Sequence, residues 1–217
     1  MVETINRNQS IIGARYPKAD AWERVTGKAA YGADLYLTNM LHGKVLRSPH
    51  PHAVIRSIDT SKAEQCPGVK AVITHLDLPP MEDTGETFGG ELMVDANDLR
   101  RMVIAHDKAF FDGHAIAVVA ATTVEQAEEA LALITVDYDI LPHVETALDA
   151  MQPDAPLLHP NLYTKSLNER PDKPSNIATH MSYEIGDLTK GFSAADLVME
   201  KEYTTATVHQ GYIEPHN

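Results

Sequence analysis

The sequence predicts an α+β fold, and three observations carry that reading. The apolar run Ala115-Ile-Ala-Val-Val-Ala-Ala121 is short and apolar on both faces, as a buried central strand is. Residues 124–134 place Ala127, Ala130, Leu131 and Ile134 at i, i+3, i+4 and i+7, with Glu125, Glu128 and Glu129 elsewhere, which is an amphipathic helix. Val136-Asp-Tyr-Asp-Ile140 then alternates apolar and acidic residues, a strand with Asp137 and Asp139 turned to water. One helix covering one sheet face makes 115–140 a compact unit.

The remaining elements follow in chain order. Residues 1–20, polar and without a period, predict an arm, and the folded part starts near Ala21. Val25-Thr-Gly-Lys-Ala-Ala-Tyr-Gly-Ala-Asp34 reads as an opening strand and turn. Residues 41–47 and 53–58 are two short strands, the first stopped by Pro49 and Pro51. Asp59-Thr-Ser61 offers a cap for a helical turn through Ala63 to Cys66, which Pro67-Gly68 ends. Val69-Lys-Ala-Val-Ile-Thr74 is a further strand. Prolines, glycines and acids dominate from Leu78 to Arg101, a long surface excursion, and Met102-Val-Ile-Ala105 is a second apolar run. Gly113, leading into the buried run, is expected to hold a backbone conformation that a side chain disturbs. Thr123 caps the helix. Residues 142–176 read as a connector. A strand and turn at 177–186, a short helix at 188–195 and a strand at 196–207 begin a second domain too small to close its own sheet. Its apolar members Met181, Val198, Tyr203 and Ile213 are expected to face solvent or a neighbour.

Composition bounds the function. A chain of 217 residues, 43% hydrophobic, suggests one domain and part of a second. No run approaches the roughly 18 apolar residues of a membrane helix, and the first residues lack the basic and apolar regions of a secretory signal, so a cytoplasmic protein with no membrane span is expected. A formal net charge of -13 opposes phosphate backbones, which makes nucleic acid an unfavourable partner. The single cysteine, Cys66, reads as a packing residue and cannot hold an iron–sulfur cluster.

Candidate chemistry in the residues themselves is thin. Ser48-Pro-His-Pro-His52 sets two histidines close together, but the prolines stiffen a turn and no third ligand stands at a suggestive spacing, so a turn that positions the next strand outweighs a metal site. Glu184-Ile-Gly186 and Phe88-Gly-Gly90 are isolated glycine turns, and no phosphate-binding loop precedes a helix. Asp137 and Asp139 make no hydrolase by themselves.

One family resemblance runs through nearly the whole chain. Val25-Thr-Gly-Lys-Ala-Ala-Tyr-Gly-Ala-Asp34 and Leu41-His-Gly-Lys-Val-Leu-Arg-Ser-Pro-His-Pro-His-Ala53 are similar to the two opening segments of the molybdenum-binding large subunits of the xanthine dehydrogenase and aldehyde oxidase family. Ile55-Arg-Ser-Ile-Asp-Thr60, Pro67-Gly-Val-Lys-Ala-Val-Ile73, Gly113-His-Ala-Ile-Ala-Val-Val-Ala120, Glu125-Gln-Ala-Glu-Glu-Ala-Leu131, Val136-Asp-Tyr-Asp-Ile-Leu-Pro142 and Tyr212-Ile-Glu-Pro-His216 continue it. His114 departs from the residue usual after that glycine, and the acidic stretch 81–97 has no counterpart.

The resemblance implies a hammerhead-like mixed sheet with covering helices over 21–145, a connector over 146–176, and the first strands of a molybdopterin-binding domain over 177–217. It implies hydroxylation of an electron-poor carbon of a small-molecule substrate, with water as the oxygen source. The family's catalytic glutamate and glycine-rich cofactor loops lie beyond these residues, so no catalytic or metal residue is expected in this chain. Val208, His209 and Gln210 correspond to a strand that nears the metal, and Val208 stands where xanthine-oxidising members carry glutamine, which argues against purine chemistry. The molybdopterin cofactor then belongs to the complete enzyme, and iron–sulfur and often FAD centres to partner chains. The reading from another class is a non-catalytic hammerhead domain that serves as an interaction or assembly module.

Overall fold

A computed structural model describes residues 17–79, 87–88, 94–166, 171–209 and 211. The chain divides into two compact units, one of residues 1–38 with 200–217 and one of residues 39–199.

In the first unit the described regular structure is helical. Helix α1 (Ala21–Val25) is steadied by the Asp20–Arg24 ion pair. It ends with Gly27 at φ +69, the Gly27 N–H donating to Arg24 O and the Lys28 N–H to Glu23 O. That pair of bonds is a Schellman motif, which needs the left-handed conformation glycine adopts freely. A 3-10 turn follows at Gly32–Asp34. The strand expected over 25–34 is therefore replaced by a helix end and a turn, because Thr26-Gly27 terminates a helix rather than opening a strand.

The second unit holds two three-stranded antiparallel sheets. Strands β1 (His42–Arg47) and β2 (Ala53–Asp59) precede helix α2 (Ser61–Glu64) and strand β3 (Val69–Ile73). Two-residue strands β4 (Thr87–Phe88) and β5 (Val94–Asp95) pair antiparallel ahead of helix α3 (Ala96–Val103). Then come β6 (Lys108–Ala109), β7 (Ala115–Ala121), helix α4 (Val124–Leu131) and β8 (Thr135–Ile140). The sheet orders are β1-β7-β3 and β6-β2-β8. The α+β class is thus borne out.

Strand β7 is central, as its apolar run predicts. It pairs with β1 from Leu46↔Ala117 to His42↔Ala121 and with β3 from Ile73↔Val118 to Val69↔Ala121. Both of its edges are then occupied. For that reason β8 does not rejoin it after the helix and pairs instead with β2.

Helix α4 starts where Thr123 Oγ1 accepts from the Gln126 N–H at 3.2 Å. It lays fully buried Ala127 and Ala130 on Ala117, Val119 and Ala121, with Ala63 of α2 in the same cluster and Cys66 packed at its margin. Alanines on both surfaces let helix and sheet approach closely. On the other face of β7, Ile116 packs with Ile55 and Ala105, and Leu46, Ile58 and Val136 border both clusters. Asp137 and Asp139 are exposed as expected, Asp139 pairing with Arg56 at 2.5 Å.

The excursion from Leu78 to Arg101 is corrected in part. Residues 80–86 and 89–93 lie outside the described residues, but α3 occupies 96–103 and absorbs Met102 and Val103. Its sequence holds no glycine or proline, and Arg100 Nη2 donates to Leu78 O at 3.0 Å, anchoring the helix to the end of the preceding turn. Only Ile104 and Ala105 of the second apolar run are buried.

The connector carries α5 (Ala147–Ala150), capped by Thr146 Oγ1 accepting from the Asp149 N–H, and β9 (Lys165–Ser166), which pairs in parallel with β10 (Thr179–His180). Helix α6 (Leu188–Ser193) forms within the expected range. The strand expected over 196–207 is absent: residues 196–209 carry no regular structure. Their apolar side chains have no covering surface among the described residues, with Val198 55% and Tyr203 84% exposed, so a sheet edge there has nothing to pack on.

Candidate functional site

Of the three residues implied to near a metal, the structure describes Val208 and His209. Val208 is 82% exposed. His209 is exposed, and its Nδ1 accepts from the Gly211 N–H at 3.1 Å, a local turn closed by Gly211 at φ +62. Gln210 lies outside the described residues. The structure therefore places Val208 and His209 side by side on an open segment.

The histidines of Ser48-Pro-His-Pro-His52 take different partners. Ser48 Oγ donates to His50 O and accepts the His50 N–H, the tight turn expected of the prolines. The His50 ring meets Tyr138 edge-on at 5.0 Å. His52, only 5% exposed, has Nδ1 2.7 Å from Pro142 O. A carbonyl oxygen only accepts, so Nδ1 carries the proton in that bond. Among the described residues no three His, Cys, Asp or Glu side chains gather as a metal-holding group.

What His52 borders is a cavity of about 650 Å³ within the second unit, between the 48–52 turn, the 110–112 loop and the connector. Phe110 stacks on His159 at 4.6 Å along its wall. Asn176 fastens the opposite side: its Nδ2 donates to Ala150 O and Pro156 O, and its Oδ1 accepts from the Leu158 N–H at 3.0 Å. No local pattern marks this cavity in the sequence, since His52 and Pro142 are 90 residues apart and Asn176 binds residues 18 to 26 positions earlier.

Beside the cavity sits a buried histidine that the sequence reading noted only as a departure. His114 is fully buried, its Nε2 donating to Arg101 O at 2.9 Å and its Nδ1 accepting from the Phe110 N–H at 3.2 Å. Both ring nitrogens are used in the neutral form, and burial pushes its pKa below the ordinary value. Its role is to hold the 101–114 segment against β7. The adjacent Gly113 is at φ +83, the conformation expected to exclude side chains, although an added Cβ would meet no atom within 4 Å. Arg47 Nη1 donates to its carbonyl at 2.8 Å.

The sequence profile of the aldehyde oxidase and xanthine dehydrogenase a/b hammerhead domain matches residues 26–142. This chain belongs to the aldehyde oxidase and xanthine dehydrogenase family. It is 35% identical to the probable hypoxanthine oxidase XdhD of Escherichia coli over 98% of its own length and 24% of that protein's. It is 32% identical to the nicotinate dehydrogenase large molybdopterin subunit of Eubacterium barkeri over 97% of this chain and 44% of that one. Among solved structures, the reconstituted CO dehydrogenase from Oligotropha carboxidovorans superposes with a TM-score of 0.62 at 32% identity, over 85% of this chain and 22% of that one. The aldehyde oxidoreductase of Desulfovibrio gigas superposes with a TM-score of 0.58 at 32% identity, over 69% of this chain and 17% of that one. The hammerhead chain thus spans about a quarter of the length of XdhD. Across the described residues, no helix is long and apolar enough to cross a membrane.

Proposed function

We propose that this chain is the N-terminal part of the molybdopterin-binding subunit of a molybdenum hydroxylase, an oxidoreductase that hydroxylates an electron-poor carbon with oxygen from water. The observation that supports it most is the family match over residues 26–142, where strand β7 and its alanine-faced helix α4 form the packed centre of the unit. In this reading 21–145 are the hammerhead domain, 146–176 a connector and 177–217 the start of a cofactor-binding domain; the arm expected over 1–20 lies, through residue 16, outside the described residues.

A molybdopterin needs a cradle of convergent hydrogen-bonding groups shielded from water. Val208 is 82% exposed and lies on a segment without regular structure, so in this reading further parts of the subunit complete the cradle and this chain contributes scaffold. Val208, His209 and Gln210 line the cofactor site only once further parts of the subunit enclose them. In this reading the iron–sulfur centres lie outside these residues, whose one cysteine is Cys66, and partner chains supply them together with FAD where the complex uses it. The complex is cytoplasmic and acts on a small molecule. The relatives are named for hypoxanthine, nicotinate and carbon monoxide, so membership narrows the reaction class more than the substrate.

The complete gene product, purified from its native cells, tests this reading. Elemental analysis is expected to find molybdenum, with iron in a copurifying chain, while the 217-residue chain alone carries neither. A native complex free of molybdenum overturns it.

A further inference from the structure

We propose that the contact between His75 and His106 is a proton-sensitive latch, which holds helix α3 on the hammerhead unit at neutral pH and releases it on mild acidification. It concerns the 96–107 segment and does not rest on the cofactor reading.

A 3-10 turn at His75–Asp77 follows β3, capped by Thr74, whose Oγ1 accepts from the Leu76 N–H at 3.2 Å. Leu78 closes the turn, its N–H donating to His75 O at 3.4 Å, and its own carbonyl accepts from Arg100 of α3. The chain returns to the same turn just past the helix. There the His106 ring lies against the His75 ring, with centroids 4.3 Å apart and planes at 53°. The residues on either side of His106 are fixed to the sheets, the Ala105 N–H donating to Ala115 O and the Ile55 N–H to Asp107 O. Leu99, Met102 and Val103 of α3 are exposed. Among the described residues the helix is thus held by a few side-chain ties at Arg100, Arg101 O and the histidine pair, the kind of element that opens locally at small cost.

The pair suits neutral rings. On a protonated imidazole both nitrogens carry N–H groups, and the buried Nδ1 of His75 meets no acceptor among the described residues. Burial first, and His106 second, hold the His75 pKa below the ordinary 6.5. The other charged groups facing it pull in both directions: Arg100 from α3 opposes its protonation, whereas Asp107 from the loop and Asp77 from its own turn favour it. Asp77 is already engaged, its Oδ2 accepting from the Thr74 N–H at 2.8 Å and from the Thr74 hydroxyl at 3.2 Å, and Asp107 is exposed to screening solvent. A proton on His75 therefore places a poorly solvated cation between His106 and Arg100. Because the folded pKa is lowered, the latch has its full strength above pH 6.5 and weakens as pH falls from there through the lowered value. Opening returns the ring to water and lifts the helix from the turn.

Hydrogen exchange read by mass spectrometry on the complete gene product in its native complex tests the latch, at pH 7.5 and 5.5 with rates corrected for the intrinsic pH dependence of amide exchange. Amides of residues 99–105 are expected to lose protection by about threefold to tenfold at the lower pH, while those of β7 keep theirs. His75→Phe leaves a ring against His106 but binds no proton, and it is expected to protect α3 equally at both pH values. His106→Phe, at an exposed position, is expected to lessen the acid loss. Constant protection of 99–105 in the parent overturns the proposal, and so does a parallel loss in β7, which marks general unfolding. An acid loss as large as the parent's in either phenylalanine variant also overturns it; if that loss then disappears in His114→Gln, the buried histidine is its cause.

Discussion

Two regions of the same unit carry similar numbers of large apolar side chains and end in opposite states. From 115 to 134, Ile116, Ala117, Val119, Ala127 and Ala130 are fully buried. From 181 to 199, Ile185 is 93% exposed, Leu197 74% and Phe192 63%, even though α6 is properly started by Asp187 accepting from the Lys190 N–H at 2.9 Å. The difference is a facing surface. Helix α4 follows directly from β7 and lays its alanines on a sheet whose strands are already paired, whereas α6 has no buried residue at all. Capping and propensity suffice to place a helix, but burial, at roughly 25 cal/mol per Å² of apolar surface, is what makes it hold.

The strongest way to break this comparison is a pair of truncations. Ile116→Ala, which opens a cavity between the two sheets, is expected to cost about 2–5 kcal/mol in urea unfolding. Phe192→Ala is expected to cost about 0.5 kcal/mol or less, because nothing is lost from a packed surface. Equal costs would mean that the 177–199 segment is as well packed as the hammerhead centre.

Two glycines at the rim of the packed region sharpen the point at a smaller scale. Gly68 and Gly113 have nearly the same backbone, φ +85 and +83, but an added Cβ at Gly68 would overlap the Gln126 side-chain amide of α4 while one at Gly113 meets nothing. Gly68→Ala is expected to cost about 2 kcal/mol, from the left-handed backbone and from displacing Gln126 out of its hydrogen bond with Thr122. Gly113→Ala should cost about 1 kcal/mol, from the backbone alone. Adding Gln126→Ala should then relieve part of the Gly68→Ala loss and none of the Gly113→Ala loss, and additivity in both double mutants would remove the close approach as the cause.

The pH dependence gives a gentler test of the same packing. His114 has a folded pKa below its ordinary 6.5, because burial disfavours the charged ring. The unfolded chain then binds a proton before the folded one does. Its stability contribution is full above pH 6.5 and declines as pH falls from there through the lowered folded value. His75, also lowered by burial and by His106, adds in the same direction. Urea midpoints measured from pH 7.5 to 5.5 should fall less steeply in His114→Gln than in the parent, and an identical slope would show that the buried ring does not titrate with folding.

Much of the hammerhead unit was legible from residue pattern. The apolar run at 115–121 has the composition of a strand buried on both faces, and the i, i+3, i+4, i+7 alanines and leucine at 127–134 mark the face of α4, because local periodicity mirrors local burial. Proline and glycine at 49, 51, 67 and 68 bounded β1 and β3 for similarly local reasons. The reading failed at 25–34, where Thr26-Gly27 closes a helix through hydrogen bonds three and five residues back, and at 196–207, where β-branched residues without a partner sheet stay irregular.

Residue pattern also left open which strands would pair. The assignment of β8 to β2 rather than β7 depends on β1 and β3 having taken both edges of β7, a count of hydrogen-bonding edges that no single segment contains. His52 illustrates the same limit at the candidate site. Its chain neighbours mark a proline-stiffened turn, and that turn is there. Its tautomer, its burial and the cavity it borders come from Pro142 and from the Phe110, Leu158 and Asn176 segments, which lie 58 to 124 residues further along the chain. Backbone preference and hydrophobic period act over a few residues and are written locally, whereas edge occupancy and cavity shape are set by segments that meet only when the chain has closed on itself.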